Sequence, residues 1–115
     1  MVEQKENLIV DLTFSFALKV IEFVGVLEEK KKYVIAKQLL KSGTSIGVNI
    51  WEAQSSESRA DFIHKLKIAA KETEETDYWL RLCNKAKSYP NTEGLVEEIL
   101  SIKKVLGKII ALSKK

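Results

Sequence analysis

Apolar residues recur every three or four positions in four stretches of the chain, and no stretch alternates apolar and polar residues as a strand would. The stretches cover residues 7–28, 33–54, 59–87 and, after a cap at Asn91 or Thr92, the chain up to residue 113. The connections between them are short, so consecutive helices should be antiparallel neighbours. The pattern predicts an all-α fold, an antiparallel up-down-up-down four-helix bundle, with residues 1–115 as a single domain.

The first predicted helix is apolar around much of its circumference. It carries two neighbouring stripes, which are Val10, Phe14, Ala17, Ile21 and Val24, and Leu12, Phe16, Val20, Phe23 and Leu27. One bundle core does not require so much apolar surface on a single helix. We therefore expect part of it to meet another surface, with sister copies of the chain as the first candidate.

The second and third predicted helices carry unusual residues at helical spacing. Gly43 and Gly47 lie one turn apart, and each costs about 1 kcal/mol relative to alanine inside a helix. Close approach of a neighbouring helix would offset that cost; simple tolerance of glycine is the alternative. On the third helix, i,i+4 spacing predicts ion pairs on the exposed side. The pairs are Asp61 with Lys65 and Asp77 with Arg81.

Composition indicates a soluble globular protein, with 45% hydrophobic and 30% charged residues among 115. The single Cys83 excludes an intrachain disulfide and favours a reducing compartment. The first residues lack the layout of a signal peptide. The most apolar window, residues 14–27, is interrupted by Lys19 and Glu22 and is too short to span a bilayer. A cytoplasmic location is expected.

Charge is unevenly distributed along the chain. The net charge is +3 in all, with −1 on residues 1–58 and +4 on residues 59–115. Up-down topology would bring the first and third connections to the same end, and the last helix adds a separate basic side. The candidate RNA-contacting residues are therefore Lys30, Lys31, Lys32, Lys85 and Lys87, with Lys104 and Lys108 on the last helix. The alternative is an ordinary solvated lysine surface.

No catalytic, metal-binding or cofactor-binding constellation is apparent. A di-iron bundle needs two Glu-x-x-His pairs, but the chain has one histidine, His64, with Asp61 at the matching position. Cys83 lies about five turns from His64 on the same helix, so the two cannot form a nucleophile–base pair within one chain. Walker and dinucleotide-binding glycine patterns are missing from the sequence. A non-enzymatic protein without a cofactor is expected.

Polar residues occupy the faces where the second and third helices should meet. Ser42, Ser45, Asn49 and Glu52 lie on the second helix, and Lys71, Thr73, Glu75 and Thr76 lie opposite them on the third. These predict a structural hydrogen-bond network, because polar atoms between helices need partners. A paired-carboxylate site at Glu72 and Glu75 is the alternative. The aromatic residues Trp51, Tyr78 and Trp79 suit packing or subunit contacts, or else stacking on unpaired bases.

Two segments resemble a known family. SGTSIGVNIWEAQ (residues 42–54) and DFIHKLKIAAKETEETDYWLRL (residues 61–82) are similar to the small bacterial four-helix-bundle proteins that include those encoded within intervening sequences of large-subunit ribosomal RNA genes. The family pattern falls on Ser45, Ile46, Asn49, Ile50 and Glu52. The resemblance implies an antiparallel bundle and a homopentameric ring. A similar branch, the accessory variability proteins of diversity-generating retroelements, implies work with a reverse transcriptase and RNA.

Three functional hypotheses follow. The first is a non-enzymatic, self-associating bundle that binds structured RNA, such as ribosomal RNA, or a ribonucleoprotein partner through lysine-rich surfaces. The alternative is a protein-interaction or scaffold module with no direct nucleic-acid contact. The third, an enzyme that uses Glu52, Glu72 or Glu75, is the least favoured. None of the three involves a membrane.

Overall fold

The computed structural model describes residues 4–114, with side chains from residue 8 onward. They form four helices, α1 (Gln4–Glu29), α2 (Tyr33–Ala53), α3 (Arg59–Lys85) and α4 (Glu93–Ser113). No strand occurs in this range, and the predicted all-α four-helix fold is confirmed. The predicted boundaries are close, although α1 begins three residues earlier and α3 ends two residues earlier than its pattern indicated.

The helices pack as a closed ring of neighbours: α1 on α2, α2 on α3, α3 on α4, and α4 back on α1, whereas no Cα atoms of diagonally opposed helices lie within 8 Å of each other in the described range. Two contacts show which connections share an end. Lys32 Nζ lies 3.3 Å from Ser88 Oγ, which joins the first and third connections. Arg59 Nη1 donates to the carbonyl of Ser113 at 3.3 Å at the other end. Both contacts agree with the predicted up-down-up-down order.

Local hydrogen bonds explain where the helices begin. Ser58 Oγ accepts from the backbone N–H of Asp61 at 3.0 Å and caps α3. At the start of α4, Asn91 Oδ1 accepts from the N–H of Glu93 at 2.7 Å. Thr92, the other predicted cap, instead donates its hydroxyl to the carbonyl of Leu80 at 2.6 Å. That buried bond ties the start of α4 to α3.

The core is a continuous column of aliphatic side chains with one aromatic ring. Its largest fully buried members are Ile9, Phe16, Val20, Leu27, Leu39, Ile46, Ile50, Leu66, Leu80, Ile99, Ile102 and Leu106. On α3 the buried residues recur every three or four positions; they are Leu66, Ala69, Thr73, Thr76, Asp77, Leu80 and Cys83. Burying each large aliphatic side chain contributes about 1.5–3 kcal/mol, so this column is the main stabilising element of the bundle.

The two apolar stripes of α1 differ in burial. The stripe through Phe16, Val20 and Leu27 enters the core. In the other stripe Val24 is buried, but Phe14 is 57% exposed and Ile21 is also exposed. The expected surplus of apolar surface is therefore real, and it lies on the side of α1 that faces α2.

Gly43 lets α1 and α2 approach closely. A Cβ atom at Gly43 would lie only 2.9 Å from Val20 Cγ1 and 3.0 Å from its Cγ2. At Gly47 a Cβ atom would lie 3.4 Å from the carbonyl oxygen of Thr13. Close approach, rather than simple tolerance, thus explains the glycine at position 43.

We expect Gly43→Ala to lower the free energy of unfolding by about 1–2 kcal/mol, because the methyl group must displace the stiff, fully buried Val20. The gain in helix propensity offsets only part of this cost. Gly25→Ala is the matched control, since nothing lies within 4 Å of its added Cβ, and it should stabilise by about 0.5–1 kcal/mol. Urea denaturation of both variants measures the difference; equal stabilities would contradict the close approach.

Two expectations about ion pairs were wrong in part. The Asp77–Arg81 pair forms, with 2.7 Å between Nε and Oδ1, but Asp77 is only 8% exposed and is not on the surface. Lys65 forms its ion pair with Glu52 of α2 at 2.9 Å, rather than with Asp61 one turn before it. Two of the four charges that were assigned to the exposed side of α3 therefore connect helices, because Lys65 binds Glu52 of α2 and Asp77 also binds Lys103 of α4.

Candidate functional site

The first and third connections form a basic end. Lys30 and Lys31 follow α1, and Lys85 and Lys87 lie at and just beyond the end of α3; all four side chains are exposed. Lys32 joins the two connections through Ser88, so the expected convergence of these lysines is present in the fold. We call Lys30, Lys31, Lys32, Lys85 and Lys87 the basic end.

Lys32 has an additional contact that fixes its position. Its Nζ lies 4.9 Å from the centroid of the Tyr89 ring, within range of a cation–π interaction. Together with the contact to Ser88, this holds the first residue before α2 against the third connection. The basic end is thus a packed corner rather than two independent loops.

The charge of the basic end is largely uncompensated. Within residues 4–114, Lys30, Lys31, Lys85 and Lys87 form no ion pair. Glu28 and Glu29 are nearby in the sequence and reduce the local charge, but five lysines outnumber them. Uncompensated ammonium groups on one surface favour an anionic partner.

The lysines of α4 divide into two kinds. Lys104 and Lys108 are exposed one turn apart and form a second basic strip, as predicted. Lys103 lies beside them but binds Asp77 Oδ2 at 2.7 Å and Glu74 Oε1 at 3.2 Å. Lys103 therefore serves the α3–α4 contact, and only its two neighbours are available to a partner.

Most hydrogen bonds of the predicted polar network lie within one helix and do not cross between α2 and α3 as expected. Ser45 Oγ donates to the carbonyl of Lys41, and Asn49 Nδ2 donates to the carbonyl of Ser45, both within α2. Glu52 reaches α3 through Lys65. Glu75 Oε2 accepts from Trp79 Nε1 at 3.1 Å, within α3. Ser45, Asn49, Glu52 and Glu75 thus lie along neighbouring helices, each with a partner of its own.

The polar contact that crosses the buried α2–α3 interface is Thr76 Oγ1 with Ser42 Oγ at 3.0 Å. Both residues were part of the predicted polar face, and this contact confirms that face's position. Beside it, burial and then the charge of Glu75 raise the pKa of Glu72, and Lys41 acts in the opposite direction. The carboxylates of Glu72 and Glu75, with the ammonium group of Lys41, are the groups on which the paired-carboxylate alternative would depend.

An apolar band runs along the outer groove between α1 and α2. It is formed by Val10, Phe14 and Ala17 of α1 and by Val48 and Trp51 of α2. Ile21 of α1 and Leu40 of α2 are also exposed. The Phe14 and Trp51 rings are 6.3 Å apart, and Trp51 is 62% exposed. The hydroxyls of Thr13 and Thr44 in the groove donate to carbonyls of their own helices, so little in it requires a polar partner.

Cys83 and His64, the two candidates for a nucleophile–base pair, lie in different surroundings. Cys83 is buried, and burial raises the pKa of its thiol. A buried thiol with a raised pKa holds little nucleophilic thiolate at neutral pH. His64 is exposed on α3, beside Arg59 and Lys67 at the end opposite to the basic end.

Sequence reasoning missed Tyr33 at the basic end. It is the first residue of α2, it directly follows the three lysines, and its side chain is 60% exposed. In the sequence it served only as a helix boundary. The available signal was its position next to Lys30, Lys31 and Lys32, because an aromatic residue among lysines is a common arrangement in nucleic-acid-binding surfaces.

Together these features define the class: a small all-α bundle protein with a basic end and an exposed apolar groove. The family model described as 23S rRNA-intervening sequence protein matches residues 5–109, and the chain belongs to this family. The fold is similar to the crystal structure of a protein of unknown function from the S23 ribosomal protein family of Bacteroides thetaiotaomicron. That similarity has a TM-score of 0.88 and 40% identity, and covers 94% of this chain and 99% of the other.

No protein with a curated description matches the chain significantly. Among residues 4–114, none of the helices combines the length and apolar character needed to cross a bilayer. Family membership thus agrees with the bundle fold and leaves the molecular activity to be inferred from the surfaces.

Proposed function

We propose that this protein is a non-enzymatic, self-associating bundle that binds structured RNA through its basic end. The observation that supports it most is the convergence of the two lysine-bearing connections, joined by Lys32 and Ser88. Lysine side chains bind phosphate groups without regard to sequence, and their contributions add along a backbone. The family's association with an intervening sequence of 23S rRNA makes ribosomal RNA the first ligand to test.

Self-association is supported by the apolar band. Phe14, Val48 and Trp51 line one groove, and Ile21 and Leu40 are exposed on the same two helices. Their exposed apolar area is on the order of several hundred Å², comparable to the largest patches of typical monomers. This area approaches the roughly 800 Å² that each partner contributes to a stable interface. A second copy of the chain is therefore the proposed occupant. The pentamer implied by family resemblance remains our prediction for the copy number.

Association would strengthen RNA binding without any new contact. Each copy carries a net charge of +3 and its own basic end. Linking several weak sites in one particle raises the overall affinity by orders of magnitude when they can engage one RNA together. The α4 strip of Lys104 and Lys108 would extend the phosphate contacts along the side of each bundle.

A variant that removes three charges from the basic end tests RNA binding. We expect Lys30→Gln/Lys31→Gln/Lys87→Gln to weaken binding to a 23S rRNA fragment about 10- to 100-fold and to reduce the log–log salt slope by about two to three. Fluorescence anisotropy at several salt concentrations measures both quantities. These lysines form no ion pair within the described chain, so folding should be unaffected.

The matched control removes the same charge from exposed sites elsewhere. Lys67→Gln/Lys71→Gln/Lys114→Gln changes the net charge equally but leaves the basic end intact. Equal losses in both variants would indicate a nonspecific charge effect and contradict the proposed site. Absent or salt-insensitive RNA binding by the natural protein would contradict RNA binding as such.

A protein-interaction module without nucleic-acid contact is the second candidate, because an apolar groove with Phe14 and Trp51 also suits an apolar helix of another protein. It predicts a specific co-purifying protein that survives nuclease treatment. A protein that binds no RNA and retains such a partner would favour it.

A further inference from the structure

Tyr33 is a largely exposed aromatic residue that directly follows Lys30, Lys31 and Lys32 of the basic end. The aromatic ring pairs of the described residues join Phe14 to Trp51 and Tyr78 to Trp79, and the Lys32 ammonium contacts Tyr89, so Tyr33 takes part in none of these contacts. Its neighbour Val34 is 75% exposed, so the first turn of α2 presents an apolar surface directly after three lysines. The fold thus places an exposed aromatic side chain next to uncompensated positive charge.

The segment that carries Tyr33 is held in one conformation. Lys32 N–H donates to the carbonyl of Leu27 at 2.8 Å, and Lys31 N–H donates to that of Glu28 at 2.9 Å. This is the Schellman arrangement at a helix C-terminus, in which the residue directly after the C-cap adopts the left-handed conformation. Lys31 has φ 63° there, although glycine would adopt it at lower cost. A charged residue thus occupies a position where backbone conformation alone favours glycine.

The third connection shows the same feature. Ser88 has φ 67°, and Lys31 and Ser88 are the two non-glycine residues with positive φ in the described chain. Lys32 contacts Ser88 and Tyr89, so both strained positions lie at the junction of the two connections. Backbone strain of this kind persists where the surroundings impose it and is frequent at functional sites. The basic end is therefore preorganised, which lowers the entropic cost of binding.

We propose that Tyr33 stacks on an unpaired base while the lysines of the basic end bind the flanking phosphates. The ligand is then RNA with exposed unpaired nucleotides, such as a hairpin loop or a free end, rather than an uninterrupted duplex. Bases inside a duplex offer no free face to a protein ring, whereas unpaired bases do. This inference rests on the proposed RNA-binding function and names the class of RNA.

Two RNA probes and a set of tyrosine variants test the inference. The probes are a hairpin with an eight-nucleotide unpaired loop and a blunt duplex with the same number of phosphates. The natural protein should bind the hairpin more tightly. Tyr33→Ala should lower hairpin affinity by roughly 5- to 150-fold and leave duplex affinity unchanged. Tyr33→Phe should retain the affinity, because stacking needs the ring and not the hydroxyl.

A control at Tyr78 separates stacking from general loss of an aromatic residue. Tyr78 is 59% exposed on α3, away from the basic end, and Tyr78→Ala should leave the affinity for both probes unchanged. The salt slope of Tyr33→Ala should equal that of the natural protein, since the phosphate contacts remain. A change in slope would indicate that the variant disturbs the lysines instead. Circular dichroism melting checks that the variants fold.

The outcomes distinguish this inference from the function on which it rests. Hairpin binding that is insensitive to Tyr33→Ala, or equal losses for hairpin and duplex, would overturn stacking and leave RNA binding by the lysines in place. If the natural protein binds neither probe, the proposed function itself fails.

Discussion

Replacing Asp77 by asparagine is expected to lower the free energy of unfolding by about 2–4 kcal/mol. Asp77 is 8% exposed and binds Lys103 of α4 and Arg81 of its own helix, each at 2.7 Å. Removal of the carboxylate leaves the largely buried Lys103 ammonium with only the exposed Glu74 as a partner. A largely buried ammonium group that loses its shorter and more buried ion pair is costly. Urea denaturation at a fixed protein concentration measures the loss.

Two controls isolate the contribution of Asp77. Glu74→Gln removes the weaker, exposed partner of Lys103 and should change stability by less than about 0.5 kcal/mol. Lys103→Met combined with Asp77→Asn should lose less than the sum of the single variants, because the double variant leaves no unpaired ammonium group. Additive losses, or an Asp77→Asn variant as stable as the natural protein, would show that the pair does not hold α4.

The same pair gives a pH dependence with a defined sign. Burial raises the pKa of Asp77, but the hydrogen bonds and charges of Lys103 and Arg81 together hold it below its ordinary value. A carboxyl group with a lowered pKa in the folded state stabilises above its unfolded pKa of about 3.9 and loses this contribution as pH falls through the folded value. The stability difference between the natural protein and Asp77→Asn should therefore shrink below about pH 4.

Lys103 contributes at the opposite end of the pH range. Burial lowers its pKa, while the hydrogen bonds and charges of Asp77 and Glu74 raise it by more. Its contribution is fully present below the unfolded pKa of about 10.4 and is lost as pH rises through the folded value. The α3–α4 contact is thus strongest across the whole neutral range.

The sequence predicted the elements well because three of the four helices have one dominant stripe. On α3 the regular spacing from Leu66 to Cys83 coincides with the buried face. On α1 two stripes are equally apolar, and hydrophobicity alone could not decide between them. The neighbouring helix α2 determines which stripe is buried. Val20 packs against Gly43, and in this orientation Phe14 and Ile21 are exposed.

The partners of several polar side chains could not be predicted from the sequence, because they depend on contacts between residues distant in sequence. Asp77 and Arg81 have the spacing of an ordinary surface pair, and only Lys103, 26 residues later, shows that Asp77 lies at a helix interface. Ser45 and Asn49 looked like partners across helices, yet both bind carbonyls of their own helix, a common alternative for short polar side chains. The basic end was predictable because up-down topology alone brings its two connections together.

Charge placed in the apolar band is expected to convert the assembled protein into a monomer. Trp51→Glu and Phe14→Glu each put a carboxylate into the groove that a second copy is proposed to cover. Burial of that carboxylate would cost several kcal/mol, whereas in a monomer both positions are more than half exposed. Light scattering at micromolar concentration should report a multiple of 13.0 kDa for the natural protein and about one chain mass for the variants.

A charged substitution outside the band makes the result specific. Leu112 is 53% exposed on α4, and Leu112→Glu should leave the assembled mass unchanged. If Leu112→Glu dissociates the protein and the band variants do not, the contact between copies lies on α4 instead. A natural protein with a mass of one chain would refute self-association altogether and would leave the band to a different partner. The basic end and the band are on separate surfaces, so a monomeric Trp51→Glu variant should still bind RNA, with a smaller salt slope. The difference in affinity between this variant and the natural protein measures how much of the affinity comes from joining several copies.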